Sequence, residues 1–197
     1  MDRRIVLTAA VGLAVLFLLP ARPAAAQDAT VSREGRYRVW YTSPQLRAEL
    51  DFHWADRHLG DEWLILKLSM ASGSGGVTPV SRDGVSVLTP QGAALPLPTQ
   101  TEFREALGSI RMALKQENAW GPPASRFVGS LSRAENWFFS PPGVFIDRNT
   151  IYPSAFQYCT GPLVFRVPGG VQPGEWVLVM ELEEARVRIP FILDGKR

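Results

Sequence analysis

Cysteine, histidine and lysine are almost absent from this chain. One cysteine, Cys159, stands among 197 residues, so no internal disulfide can brace the fold. The two histidines are His53 and His58, and they limit acid–base and nucleophilic chemistry to what that one short stretch can reach. Three lysines stand against 18 scattered arginines, and no basic cluster forms. Without such a cluster to neutralise phosphates, nucleic-acid binding has no electrostatic basis. No G-x-S-x-G elbow, no P-loop and no G-x-G-x-x-G ahead of a helix occurs. The sequence holds no recognisable catalytic constellation and implies no cofactor.

Long apolar runs are also missing after the start of the chain. Ile5 to Leu19 is apolar, follows Arg3 and Arg4, and ends at Pro20. About 15 apolar residues suit the h-region of an export signal and are short for a membrane span. Ala24, Ala25 and Ala26 supply the small residues that a signal peptidase needs. Residues 1–26 therefore read as a signal peptide cleaved before Gln27, and the product as exported, either periplasmic or secreted. No stable membrane span is expected after cleavage. No cysteine near that point could be acylated, which argues against a lipoprotein. The leader carries Asp2, Arg3, Arg4 and Arg22, so its removal takes away the whole formal charge of +2. The remaining 171 residues are formally neutral and long enough for one domain with a sizeable core.

What is present is β-patterning. Residues 27–35 are polar and small and read as a flexible mature N-terminus, and residues 36–193 as the single domain, with 194–197 as a tail. Arg36 to Ser43 alternates as a first strand. In LRAELDFHW, Leu50, Phe52 and Trp54 share one face at period two while Glu49, Asp51 and His53 share the other, the pattern of a half-buried strand. The run from Glu62 to Ser72 is the most apolar of the first half and suits a central strand. Residues 85–97 read as a hairpin turning at Pro90-Gln91-Gly92. Leu163 to Val167 is a further strand. Near the C-terminus, Trp176, Leu178, Met180 and Leu182 alternate, as do Val187, Ile189, Phe191 and Leu193. Pro190 cannot donate to a ladder and places its strand at an edge.

One amphipathic α-helix is expected over about residues 100–118. Thr99 and Glu102 form a capping-box pattern, and Phe103, Leu107, Ile110 and Leu114 recur on one face. Seven to nine short strands with frequent turn signals and one inserted helix make the chain mainly β, an antiparallel β-sandwich. In architecture it resembles the immunoglobulin-like modules of exported bacterial proteins over about residues 36–193. The cysteine pair around a core tryptophan, found in antibody domains, is absent here. The resemblance implies an adhesion, binding or assembly role and transfers no functional residues.

Two constellations invite a functional reading. DFHWADRHLGDEW (51–63) holds both histidines and several carboxylates. A metal-dependent hydrolase would draw on Asp51, His53, His58 and Asp61, provided three or four of them converge on one ion. The simpler reading is a strand whose Asp51 and His53 face solvent, followed by an exposed turn. The second constellation is aromatic. Trp120, Trp137, Phe138 and Phe139 lie beside prolines in NAWGPP and NWFFSPPGVF, where rigid apolar loops can anchor a partner. The reading reached is a non-enzymatic binding or assembly module whose partner is a protein or a cell-envelope component. Two alternatives accompany it: the hydrolase of the 51–62 segment, and a carrier of small apolar ligands with a pocket between sheets.

Overall fold

The computed structural model describes residues 29–73, 75–120, 126–135, 138–140 and 148–195; the leader at 1–26 lies outside the described residues. The chain is mainly β. It opens with three strands in succession, β1 (Thr30–Glu34), β2 (Arg38–Thr42) and β3 (Leu46–Asp51), followed by a short helix α1 (His53–Arg57). β4 (Trp63–Ser72), β5 (Val80–Ser81), β6 (Val85–Leu88) and β7 (Ala94–Pro96) lead to the long helix α2 (Gln100–Trp120). β8 (Ser132–Glu135), β9 (Thr150–Ile151), β10 (Gln157–Arg166), β11 (Gly174–Glu181) and β12 (Arg186–Leu193) complete the order.

The larger sheet has six strands in the order β1-β2-β3-β4-β10-β8, and a second has four in the order β12-β11-β6-β7. β5 and β9 form a small antiparallel pair. The two larger sheets feed one core: Val39, Leu50, Leu66 and Phe165 from the first meet Trp176, Leu178, Ile189 and Phe191 from the second. Phe52 lies 5.3 Å from Phe191, ring centre to ring centre. Along β12 the period-two pattern holds, with Val187, Ile189, Phe191 and Leu193 buried and Arg186, Arg188 and Ile192 exposed. Pro190 lies in β12, the outermost strand of its sheet.

The helix is where its pattern puts it. Thr99 and Glu102 close the capping box, with the Thr99 N–H donating to Glu102 Oε2 at 2.7 Å and the Glu102 N–H to Thr99 Oγ1 at 3.2 Å. Phe103, Ile110 and Leu114 are buried in the main core. α2 packs against β4. It lies over the face of the large sheet that points away from the four-stranded sheet, where Ile65 and Val164 stand opposite one another and are buried.

Four expectations need correction. The N-terminal stretch is not a free tail, because residues 30–34 pair antiparallel with β2. Gly35, at φ 66°, starts the three-residue turn between them. The strand expected to run to Trp54 stops at Asp51. The Asp51 side chain takes the backbone N–H of His53 at 2.9 Å, and this local bond turns the chain out of the ladder into α1. The large sheet is not purely antiparallel, since β8 lies parallel to β10. The C-terminal residues 194 and 195 are held: their backbone N–H groups donate to Asp56 Oδ1 at 2.7 and 3.1 Å.

Candidate functional site

The histidine-bearing segment does not assemble a metal centre. Among the described residues no group of three or more His, Cys, Asp or Glu side chains is placed to hold a metal ion. Asp51 and His53 do adjoin one cleft of about 310 Å³ with Arg36, Tyr37 and Arg38. The His53 ring meets Tyr37 edge-on at 4.7 Å, and burial together with nearby Arg57 holds it below the usual histidine range. His58 turns elsewhere. It stacks on Trp54 at 3.7 Å, and its Nδ1–H donates to the Trp54 carbonyl at 2.8 Å. Asp61 is exposed, and its backbone carbonyl accepts from the Val171 N–H at 2.8 Å.

The group that matters structurally in this segment is Asp56, which sequence reading placed in an exposed turn. It is buried at 2% exposure. One carboxylate oxygen takes the two C-terminal N–H groups, and the other meets Arg36 Nη2 at 3.5 Å. The segment is a fastening between α1 and the C-terminus. The following turn packs on the 168–171 loop: the Gly60 N–H donates to the Val171 carbonyl at 2.7 Å, and a side chain at Gly170 would strike the Gly60 carbonyl at 2.5 Å.

Ionisable chemistry collects instead on the outward face of the large sheet. Register sets Arg38, Asp51 and Lys67 side by side across β2, β3 and β4. The next row is Trp40, Glu49, Ser69 and Thr160 across β2, β3, β4 and β10. This face was expected to meet water, yet Glu49, Asp51, Ser69 and Thr160 are all buried. Two covers close over it. The end of α2 brings the buried Glu117 within reach of the charges of Lys67 and Asp51. Further along, Phe127 packs with Trp40, Ala71 and Tyr158, lying 4.9 Å from the Trp40 ring and 5.3 Å from the Tyr158 ring. Arg126 lies over Trp40 at 4.8 Å.

The polar row is only partly satisfied. Ser69 Oγ and Thr160 Oγ1 share a hydrogen bond of 2.8 Å. Arg38 stands 3.6 Å from Glu49 and 3.8 Å from Asp51. Among the described residues, Glu49 Oε2 and Glu117 Oε2 are buried with no hydrogen-bond partner. Loss of solvation favours the uncharged form of a carboxyl group. Burial raises Glu49 and Asp51 above the usual carboxylate range, with Arg38 opposing in each case. It pushes Glu117 up to about 7, against the pull of Lys67.

The aromatic anchors read from the sequence divide. Trp137 and the side chain of Trp120 lie outside the described residues. Phe138 and Phe139 are in the core, each 2% exposed. Phe139 stacks on Phe103 of α2 at 4.3 Å, and Arg82 lies over its ring. Phe138 lies beside Leu68, Met70, Ile151 and Leu163. They face inward because they fill the space that α2 and the small β5–β9 pair leave open. Cys159 is buried in β10 opposite Met70.

A group of exposed apolar side chains lies elsewhere, at the rim where residues 75–79 meet residues 150–157, apart from single exposed residues such as Met112 and Val128. Val77 pairs across from Ser154, with Tyr152 and Phe156 two residues to either side. The rim is tied by Thr78 N–H to the Pro153 carbonyl at 2.9 Å and Ala155 N–H to the Gly76 carbonyl at 3.2 Å. Phe156 is 80% exposed, Tyr152 59% and Val77 58%. NTIYPSAFQYCTG has no period to mark it, but two large aromatics in a proline- and serine-bearing turn were the available signal. Among the described residues no helix is long and apolar enough to cross a membrane. No family model, curated protein or solved structure matches this chain.

Proposed function

We propose that the chain is an exported, non-enzymatic binding or assembly module built on an immunoglobulin-like β-sandwich, and that it meets its partner through the Val77–Tyr152–Phe156 rim. The observation that carries the reading is the exposure of three apolar side chains on two segments tied by backbone hydrogen bonds. Large aromatics in water cost free energy unless something covers them, and aromatic anchors dominate binding at protein interfaces. Export is supported by the leader pattern of residues 1–26. The likeness to immunoglobulin domains is one of layers. Here four consecutive strands, β1 to β4, stay side by side in one sheet, whereas immunoglobulin domains divide theirs between two. The partner is a protein or another envelope component with an apolar, aromatic-accepting surface.

A photo-crosslinking residue placed at Phe156 in producing cells tests this. The expected result is one dominant adduct, lost when Tyr152 and Val77 are changed to serine. Labelling at Phe156 no stronger than at the exposed Arg188 position would overturn the reading.

A further inference from the structure

α2 ends over charged strands, and its buried face changes character along its length. Phe103, Ile110 and Leu114 give it an apolar seat, but one turn later the buried position is Glu117. A glutamate there is costly when ionised, since the low-dielectric surroundings penalise its charge. Its Oε2 has no hydrogen-bond partner, and no ion pair within 4.0 Å joins it to Lys67 among the described residues. The groups facing it are Lys67 from β4 and Asp51 from β3. Behind these stand Glu49 of β3 and Arg38 of β2, which touches both carboxylates. His53 of α1 follows Asp51 at the edge of the same region.

We propose that the last turns of α2 are a proton-controlled latch, seated on β3 and β4 while Glu117 carries its proton and lifting when it is lost. Seated, the neutral carboxyl leaves Lys67 and Asp51 to balance one another. Deprotonated, it adds an anion beside Asp51, and among the described residues Lys67, the cation that acts on it, makes no ion pair with it. The free-energy gain on lifting is the hydration of Glu117. The device is independent of the rim proposed to bind a partner.

Burial sets the direction of the response. A carboxyl raised to about 7 when seated and near its ordinary 4.5 when lifted binds its proton more tightly in the seated state. The seated-to-lifted ratio therefore falls as pH rises through that interval, by up to about tenfold per pH unit, and levels off above it. Hydrogen exchange of the purified exported chain, corrected for intrinsic exchange rates, reads this directly. Amides of the last two turns of α2 should lose about 15-fold protection between pH 5.5 and 7 and about twofold more by pH 8.5. Glu117→Gln should hold high protection at every pH. Lys67→Met should move the levelling-off to higher pH, a readout that remains if Glu117→Gln does not fold. His53→Gln should leave the response in place. Equal protection at pH 5.5 and 8.5 in the parent chain, a pH response that survives in Glu117→Gln, or one that vanishes in His53→Gln would each overturn the latch.

Discussion

β12 and β3 have nearly the same sequence grammar and opposite fates. Both alternate apolar with polar residues. In β12 the polar positions, Arg186 and Arg188, are exposed, and Val187, Ile189, Phe191 and Leu193 fill the core. In β3 the polar positions Glu49 and Asp51 are buried along with their apolar neighbours Ala48 and Leu50. The difference is not in the strands but in what lies over them. The outer face of the large sheet is roofed by α2 and by the Phe127 segment, and that of β12 is open. Alternation therefore reports which side chains share a face. It does not report whether that face meets water.

Substitutions on the inner and outer faces separate the two strands. The inner faces should behave alike. Phe191→Ala in β12 and Phe165→Ala in β10 remove fully buried rings, and each should cost about 3–5 kcal/mol in urea unfolding. The outer faces should diverge, first through pH. A glutamate whose folded value is raised stabilises the fold fully below its unfolded value of about 4.5 and loses that contribution as pH rises to about 7. For Glu117 the loss is roughly 3 kcal/mol at most. Glu49 and Asp51 act in the same direction, their folded values being raised as well. Unfolding across pH 5 to 8 should thus show a fall in stability that Glu117→Gln reduces. Next, Ser69→Ala leaves Thr160 without its buried partner and should cost about 1–2 kcal/mol. Smallest is Arg188→Thr on the open face of β12, expected within about 0.5 kcal/mol of the parent.

Much of the frame was legible in the residues. The capping box at Thr99 and Glu102 specified where α2 begins, and the alternation of β11 and β12 specified their inward sides. Strand β1 escaped notice because TVSRE offers one apolar residue and becomes a strand only by pairing with β2 across the Gly35 turn. The end of β3 was visible only to a local argument. Asp51 two residues ahead of His53 is an Asx turn in waiting, and period-two counting passed over it. Flanking prolines make Phe138 and Phe139 look like exposed anchors, whereas their burial depends on α2 arriving from another part of the chain. Least legible was the polar row. Its rows form only when register aligns β2, β3, β4 and β10, and its burial only when α2 folds back over them, so no single stretch of sequence carries the signal.

The most direct test of a roofed polar face is to follow the side-chain carboxyl carbons of Glu49, Asp51 and Glu117 by NMR while pH is varied. The account predicts Glu117 titrating at about 7, with Glu49 and Asp51 displaced upward from the ordinary range. All three titrating as freely solvated carboxylates would show that the face is open, and would remove the distinction between β3 and β12.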